Sequence, residues 1–525
     1  MWDKMNDFSN RDRNVFLIKL DSMIDRGALM SRYSRTSSLD IRSVYDREFS
    51  SNSDRGSDFY RRIFLEYGDE SVAELVTAQA GIQNVSNVAS KVIEEIRIGI
   101  SFLEKSSRYV RYDRKVDGHY LYAPPDSIGI PGALRAPYVE YCDSLFDFYS
   151  KSLPVVTGMV ERVYPLDAQV FDIAGTEVPY ADLGTGESDI AEKAYRNALR
   201  ARALDDIRYV LPASTLTNIG MSGNGRSYIN LLQKLETSGL PECRNIGNDL
   251  YRELEAELPE LVKSARNAHG KEMEDFLKSR NDLPDHLEVN HDLPAVRLVG
   301  HEPEDVAMGR IEVLMEYPHT SGSLESSRKI NQGNIFGSLV DARKNRRHKP
   351  GRAFETVNYL FELNPSFASF REIQRHRMQT IIRKPLTPLF GYFEPEIIAR
   401  DPDLIQNFRT LMEEGLELWN DLRRASGIVV SQYVIPFAYR YPFAAYMSLS
   451  EATYFCELRS TPAAHYELRD ISWKMADEIA RVHPHLSGLM KFIDRSASGL
   501  GRIRAEARKE MKLKDTDRGK KADQS

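Results

Sequence analysis

The sequence has few cysteines and tryptophans and lacks any long hydrophobic run. Only three cysteines and three tryptophans occur among its 525 residues. Cys142, Cys243 and Cys456 are widely separated and show no C-x-x-C spacing, which argues against a disulfide framework and against a metal site. No apolar stretch approaches the roughly 20 residues that span a bilayer, and residues 1–14 lack a signal-peptide core. We therefore expect a cytoplasmic protein that binds neither a metal nor a membrane.

The chain also lacks a large excess of charge of either sign. Its formal net charge is −6, which gives no global attraction to nucleic acid, so we expect no nucleic-acid partner. With 42% hydrophobic and 28% charged residues, the composition is typical of a globular protein, and the length allows at least two domains. Any phosphate binding must therefore come from local clusters of cations.

The sequence does contain one group of short motifs that occurs twice. Repeats are sought before other features because they decide the architecture. In the first half the motifs are S-x-x-E-x-S-x-R-Y at residues 101–109, R-Y-V-L-P at 208–212 and N-G-R at 224–226. In the second half they are R-H-R at 375–377, Q-Y-V-I-P at 432–436 and a single Arg459. Glu355 precedes the R-H-R triplet by 20 residues, and Glu74 is its counterpart in the first half.

Helical patterns precede the first motif of each half. Apolar residues at 85, 88, 89, 92, 93 and 96 recur with helical spacing, and Ser86 stands where an N-cap is expected. In the second half, Pro365 and Ser366 start a helix with Phe367 and Phe370 facing inward. The two predicted helices are therefore equivalent in position, but the motifs that follow them contain different functional residues.

Together these motifs resemble the flavin-dependent thymidylate synthases. In that family R-H-R-x-x-S-x-x-x-x-S-x-R-Y is continuous, whereas here the first half has Ile96-Arg97-Ile98 in place of R-H-R. The second half keeps R-H-R but has Pro385 and Thr387 in place of the second serine and the arginine. The resemblance covers residues 28–235 and 295–484. It implies an α/β fold with two fused repeats that form a pseudo-dimer.

The resemblance also implies a site for a pyrimidine nucleotide. Arginine suits such a ligand because its planar fork binds phosphate oxygens in pairs. Arg459 resembles the catalytic arginine that lies against the pyrimidine and stabilises charge there. The implied substrate-binding residues are Ser101, Glu104, Ser106, Arg108, Arg208, Arg375 and Arg459.

A flavin site is implied by the same resemblance. Its residues would be Ser71, Asn224, Arg226, Asn230, Glu355, Arg375, His376 and Arg377. Ser71 ends a G-D-E-S stretch where the family has G-H-x-S or G-H-x-T. The implied reaction is the reductive methylation of dUMP to dTMP at a site shared between the repeats. Methylenetetrahydrofolate would donate the carbon, reduced FAD the hydride, and NADPH would reload the flavin.

Several alternatives stay open at this point. Glu372 stands where the family has a glutamine, which favours a related transfer to another pyrimidine nucleotide as a second hypothesis. A third hypothesis is a non-catalytic flavin- or nucleotide-binding paralogue. Locally, Arg108 and Glu104 alone would be interpreted as an exposed ion pair, and residues 224–226 as a glycine-rich turn.

The predicted organisation has four parts. Residues 1–263 form the first repeat, with an insertion at about 110–200 whose segment 172–189 is predicted to be a loop. Residues 264–294 form a helix and linker, and residues 295–500 form the second repeat. Residues 501–525 form a charged tail, predicted to be a frayed helix or disordered. Since the family's sites lie where subunits of a tetramer meet, a homodimer of this chain would form a pseudo-tetramer.

Overall fold

The computed structural model describes residues 7–33, 36–50, 55–67, 70–173, 175–280, 292–316, 334–497 and 499–522. We call residues 7–280 the first half, 292–497 the second half and 499–522 the C-terminal segment. The helices of the first half are α1 (Met23–Arg32), α2 (Ile41–Glu48), α3 (Arg55–Tyr67), α4 (Asn87–Ile93), α5 (Pro125–Ile128), α6 (Arg135–Val163), α7 (Thr185–Ile207), α8 (Gly225–Thr237), α9 (Pro241–Glu257), α10 (Pro259–Val262) and α11 (Ala268–Arg280). Those that follow are α12 (Glu304–Glu316), α13 (Asn334–Ala342), α14 (Phe367–Ile373), α15 (Pro402–Ser431), α16 (Leu449–Arg459), α17 (Tyr466–Val482) and α18 (Ile503–Ala522).

The strands form one main sheet in each half. They are β1 (Thr77–Ser86), β2 (Ile100–Glu104), β3 (Val170–Ile173), β4 (Thr176–Pro179), β5 (Leu216–Asn224), β6 (Val296–Gly300), β7 (Asn358–Leu363), β8 (Thr380–Ile382) and β9 (Phe443–Ser448). The first sheet has the order β1-β5-β2 and the second β6-β7-β9-β8, while β3 and β4 form a separate hairpin. All described pairs are antiparallel. The predicted mixture of helices and sheets is confirmed.

The helices that lead to the motifs begin as predicted, at serine caps. Ser86 Oγ accepts a hydrogen bond from the Ala89 amide at 3.0 Å, and Ser366 Oγ accepts one from the Ser369 amide at 3.1 Å. Such caps satisfy amides that have no partner inside the helix. Both helices are short, so the R-H-R triplet lies just beyond the end of α14.

The two caps also correct the alignment of the halves. If Ser86 is matched to Ser366, residues 95–97 and not 96–98 correspond to the R-H-R triplet. Side-chain contacts agree, because Arg97 donates to the Gln379 carbonyl and Arg377 donates to the Ile100 carbonyl. The predicted counterpart Ile96-Arg97-Ile98 was therefore placed one residue too late.

Two loops that each contain the proline of a repeated motif, residues 208–213 and 432–437, pair with each other across the contact between the halves. We call them the proline loops. The Ala213 amide donates to the Ile435 carbonyl at 2.8 Å, and the Phe437 amide donates to the Leu211 carbonyl at the same distance. Each proline loop thus contacts the equivalent residues of the other loop, which is the pattern of a contact with two-fold symmetry.

Buried side chains repeat this reciprocity. Tyr433 donates to Glu242 at 2.8 Å, and Glu242 accepts from Ser86 at the start of α4. In the other direction, Tyr209 donates to Glu467 at 2.7 Å, and Glu467 accepts from Ser366 at the start of α14. Each half therefore fixes the start of the other half's motif helix.

The insertion and the C-terminal segment differ from the predictions. Residues 172–189 are not a loop, because they contain most of the β3–β4 hairpin and the start of α7. Over its described residues the C-terminal segment is a helix and not a disordered tail, since α18 packs against α7 and β3. The reason is a narrow apolar face, in which Ile503 and Ala507 are 6% and 0% exposed, that the charged composition conceals.

Within the described ranges, no helix combines the length and the apolar character needed to cross a membrane. The same part of the chain holds no group of three or more histidine, cysteine, aspartate or glutamate residues arranged to bind a metal ion. The three cysteines are buried and unpaired.

Candidate functional site

A cavity of about 180 Å³ lies between the two halves and is lined mainly by arginines. The first half contributes the loop after β2 and Arg208, and the second half contributes α14, Arg375 and the end of α16. The lining residues are Ser106, Ser107, Arg108, Tyr109, Arg208, Ala368, Arg371, Glu372, Arg375, Arg459 and Arg502. Six arginines therefore face one carboxylate in the wall of this arginine cavity.

That carboxylate, Glu372, connects three of the arginines. Its oxygens accept from Arg208 at 3.2 Å and from Arg459 at 3.3 Å, and Arg108 lies 3.5 Å away. Burial alone would raise the pKa of Glu372, but the three guanidinium groups outweigh it and hold the pKa well below its usual value. Glu372 is therefore a permanent negative charge at the centre of the site.

Arg108 is fixed from behind by Asp205, a residue that the motifs did not identify. Arg108 Nε and one terminal nitrogen donate to the two Asp205 oxygens at 2.6 and 2.7 Å. Burial lowers the pKa of Arg108, yet Asp205 and Glu372 raise it overall. The alternative of an exposed pair with Glu104 is wrong, because Arg108 is buried and pairs elsewhere.

Glu104 does not line the cavity but holds two arginines that do. It is buried, accepts from Lys91 at 3.1 Å, and lies 3.5 Å from both Arg371 and Arg375. Burial raises its pKa, whereas Lys91, Arg371 and Arg375 bring it down to about 2. Ser101, the other outlying substrate candidate, is exposed on β2 and lies 3.4 Å from Arg377.

His376 orients Arg459. Its Nε2 accepts from Arg459 Nε at 2.9 Å, so Nδ1 carries the proton and donates to Glu451 at 3.0 Å. Burial lowers the pKa of His376, which agrees with this neutral form. Arg459 also donates to the Glu372 carbonyl at 2.8 Å. Both ring nitrogens are thus engaged within the chain, and neither is available to a cofactor.

Arg371 was missed by the sequence analysis although it belongs to the cavity. It donates to Ser107 at 3.1 Å, and its guanidinium lies 4.6 Å from the Phe437 ring centroid. Arg371 lies within α14, whereas Arg375 follows the end of that helix, so no sequence spacing connects the two, and only the fold brings them together.

Most of the predicted flavin residues lie outside this cavity. Asn224 caps α8 by accepting from the Ser227 amide at 2.9 Å, so residues 224–226 start a helix and are not simply a turn. Arg226 pairs with Glu74 at 3.1 Å on the surface. Ser71 and Glu355 are exposed in short helical turns of their halves, while the residues at 68 and 69 lie outside the described chain.

A second, larger cavity of about 530 Å³ also lies between the halves, but there the two halves exchange their parts. The first half contributes the motif helix, and the second half contributes the loop that follows its edge strand. This cavity is lined by α4, α8 and the loop after β8, and it includes the flavin candidate Asn230. Gln432 stands there in place of Arg208, and Val92 in place of Glu372. The arginine cluster therefore occurs in one of the two related cavities.

Residues 24–260 and 302–485 match the family described as Thy1, thymidylate synthase complementing protein. The chain belongs to this family. A UPF0159 protein of Thermoplasma acidophilum is 49% identical over 93% of this chain and 99% of that protein. A flavin-dependent thymidylate synthase of Thermococcus onnurineus is 33% identical over 17% of this chain and 36% of that enzyme. The chain is thus a divergent member that matches the family in two regions.

Among solved structures, similarity extends to the UMP/dUMP methylase PolB of Streptomyces cacaoi bound with 5-Br dUMP. The TM-score is 0.31 and the sequence identity 17%, over 39% of this chain and 95% of that one.

Because the family is flavin-dependent, its cofactor can be tested against the residues present. A flavin dinucleotide needs cations for its pyrophosphate and polar contacts for its ring edge. Arg375 and Arg226 meet the first need, since their side chains are 45% and 47% exposed. Arg377 is exposed beside β2. These arginines fit the group, whereas the buried His376 supports Arg459.

Proposed function

We propose that this protein methylates dUMP to dTMP reductively, at the arginine cavity shared by its two halves. The observation that carries the proposal is the charge of that cavity. Its six arginines face three carboxylates, Glu372 in the wall and Asp205 and Glu104 behind it, which leaves an excess of three positive charges. A nucleotide phosphate is a dianion, and arginine binds its oxygens as a planar fork.

The residues of the arginine cavity would act on two different parts of the nucleotide, its phosphate and its pyrimidine. Ser106, Arg108 and Arg208 would bind the phosphate, and Arg108 is held for this by Asp205. Arg459, oriented by His376, would stabilise the negative charge that develops on the pyrimidine when its C5 attacks a one-carbon unit. This route needs no cysteine nucleophile, and the three cysteines lie buried.

We extend the proposal to FAD as the resident cofactor. Arg375, Arg377, Arg226, Ser71, Asn224, Asn230 and Glu355 would hold it. When bound in its reduced form, FAD supplies the hydride that a reductive methylation requires. Methylenetetrahydrofolate would supply the carbon, and NADPH would reduce the flavin again.

The proposal also includes the assembly. The reciprocal contacts of the two proline loops support two fused repeats that form a pseudo-dimer. A homodimer of the chain would then form a pseudo-tetramer, and residues of both chains would complete each flavin site. Sedimentation of the purified protein at about twice the 60.0 kDa chain mass is the expected result.

A titration of dUMP into the FAD-loaded protein tests the proposal. We expect a saturable shift in the visible flavin spectrum that is lost in Arg108→Ala and Arg375→Ala, because these residues come from different halves. Arg409→Ala is the matched control, since that arginine forms an exposed pair with Glu394. A protein that binds FAD but gives no shift with dUMP would contradict the choice of substrate.

Glu372 favours a second candidate, a related transfer to another pyrimidine nucleotide. A carboxylate only accepts hydrogen bonds, whereas the glutamine expected there also donates. The exocyclic amine of cytosine is a donor that such an acceptor suits. Turnover of dCMP but not dUMP, with the same carbon donor, would favour this candidate. Binding of both nucleotides without any turnover would favour a non-catalytic paralogue.

A further inference from the structure

The C-terminal segment places an arginine in the wall of the arginine cavity. Arg502 lies outside both regions that match the family, and it lines the cavity together with Arg108 and Arg208. Its guanidinium carbon lies 4.6 Å from the centroid of the Tyr109 ring. Among the described residues, Nε and one terminal nitrogen of Arg502 are buried without a hydrogen-bond partner.

The approach of this segment is fixed by close packing. Gly501 lies so near the Pro462 carbonyl that a Cβ at this position would overlap it, which requires glycine here. Leu500 and Ile503 on either side are 4% and 6% exposed. Arg502 is therefore held at the cavity by its neighbours in the chain.

The insertion of the first half anchors the helix that follows Arg502. Helix α18 packs against β3 and α7, with Ala507 fully buried in the contact. Arg508 pairs with Asp172 at 2.7 Å, and Arg504 pairs with Glu177 at 2.6 Å. These exposed pairs contribute little individually, so the apolar contact carries most of the docking energy. The hairpin thus serves as a platform for the C-terminal helix.

Arg502 differs from the other arginines of the cavity in its partners. Arg108, Arg208 and Arg459 each contact a carboxylate, as do Arg371 and Arg375 through Glu104. No carboxylate within 4.0 Å of Arg502 is found among the described residues. Asp205 and Glu372 act on its charge only from beyond contact distance. A guanidinium with two buried nitrogens and no carboxylate in contact is unfavourable, and an anionic ligand would compensate it.

We propose that Arg502 binds the phosphate of the nucleotide, so that the C-terminal helix and the inserted hairpin together complete the site. This inference rests on the proposed function, which assigns the cavity to a nucleotide. The ring of Tyr109 lies beneath the guanidinium and helps to hold it in the cavity wall.

Binding of dUMP and of deoxyuridine to the full-length, FAD-loaded protein, measured by calorimetry, tests the inference. We expect Arg502→Ala to weaken dUMP binding about 10- to 100-fold, the usual effect of losing a hydrogen bond to a charged group. Binding of deoxyuridine, which lacks the phosphate, should not change. Arg502→Lys should be intermediate because it keeps the charge but loses the fork. Arg495→Ala, which removes the same charge from an exposed pair with Asp477, should bind like the wild type.

The outcomes separate this inference from the proposed function. If the wild type binds dUMP and Arg108→Ala does not, but Arg502→Ala binds normally, the inference alone is overturned. If Arg502→Ala weakens both ligands equally, Arg502 supports the structure and does not bind phosphate. If the wild type binds neither ligand, the nucleotide site itself fails.

A variant that releases the helix gives an independent check. Ala507→Glu introduces a charge into the buried contact between α18 and the platform. As with Arg502→Ala, we expect dUMP to bind more weakly and the binding of deoxyuridine to stay the same. The variant should keep a cooperative thermal unfolding transition. Normal dUMP binding in Ala507→Glu, with α18 shown by limited proteolysis to be released, would overturn the role of the platform.

Discussion

At the scale of single residues, the site is organised by buried charges that the motifs only partly reveal. Arg108, Arg208, Arg375 and Arg459 were predicted, and all four line one cavity. Asp205 and Arg371 were not predicted, because single charged residues in helices carry no signal until the fold places them. Arg502 lies beyond every motif, so its position depends on tertiary packing alone.

Glu372→Gln tests the balance of these charges. The substitution leaves Arg108, Arg208 and Arg459 without a shared carboxylate, so we expect the free energy of unfolding to fall by about 3 kcal/mol. The loss should be partly recovered by inorganic phosphate, which supplies the missing negative charge. Urea unfolding with and without phosphate measures both effects.

A matched control comes from the surface. Glu394→Gln removes a carboxylate that pairs with Arg409, whose side chain is 44% exposed. We expect a change below about 1 kcal/mol, because exposed pairs contribute little. Equal destabilisation of the two variants, or no recovery of Glu372→Gln with phosphate, would contradict the role given to Glu372.

His376 predicts a dependence of stability on pH. Burial lowers its pKa in the folded protein below the ordinary value of 6.5. The unfolded chain therefore binds a proton at a higher pH than the folded chain, and stability falls as the pH decreases below about 6.5. His376→Gln, which cannot titrate, should lose less stability than the wild type between pH 7.5 and 5.5. Melting temperatures across this range measure the difference, and parallel curves for the two proteins would contradict it.

At the scale of elements, local signals predicted the helices that begin at serine caps. Ser86 and Ser366 were identified because a cap is a property of neighbouring residues. The hairpin of β3 and β4 could not be predicted, since its strands have four residues each and depend on α18 for burial. The charged sequence of α18 predicts a frayed helix or a disordered tail because its small apolar face is stabilised only by tertiary contacts with α7 and β3.

Ser366→Ala tests the link between a cap and the contact of the halves. Ser366 accepts from the Ser369 amide and donates to Glu467, which also accepts from Tyr209 of the first half. We expect the free energy of unfolding to fall by about 1–2 kcal/mol, because the cap is lost and Glu467 no longer accepts from this hydroxyl, although it still accepts from the Ser366 amide, Ser369 and Tyr209. Ser144→Ala, on the exposed side of α6, should change stability little. Chemical denaturation compares the two, and equal stability would contradict the cap's contribution.

At the scale of the whole molecule, two related halves produce two unlike cavities. The reciprocal hydrogen bonds of the proline loops place one cavity on each side of the contact between the halves, but only one of the two cavities is lined by six arginines. In the other, Gln432 replaces Arg208 and Glu95 is already paired with Arg383 and Lys234. The sequence indicated this division, because the motifs kept by one half are those that the other has lost.

This asymmetry predicts one nucleotide for each chain. The second cavity has neither the Arg208 nor the Arg108 equivalent, since Gln432 and Thr387 stand at those positions, so it lacks the forks that bind phosphate. Calorimetry with dUMP should give one site per chain, and Arg208→Ala should remove it. Gln432→Ala, the equivalent substitution in the other half, should leave the affinity unchanged. Two sites per chain would contradict the asymmetry, because the second cavity would then also bind the nucleotide. A loss of binding in Gln432→Ala but not in Arg208→Ala would mean that the wrong cavity has been assigned and that the arginines hold the halves together without contacting the substrate.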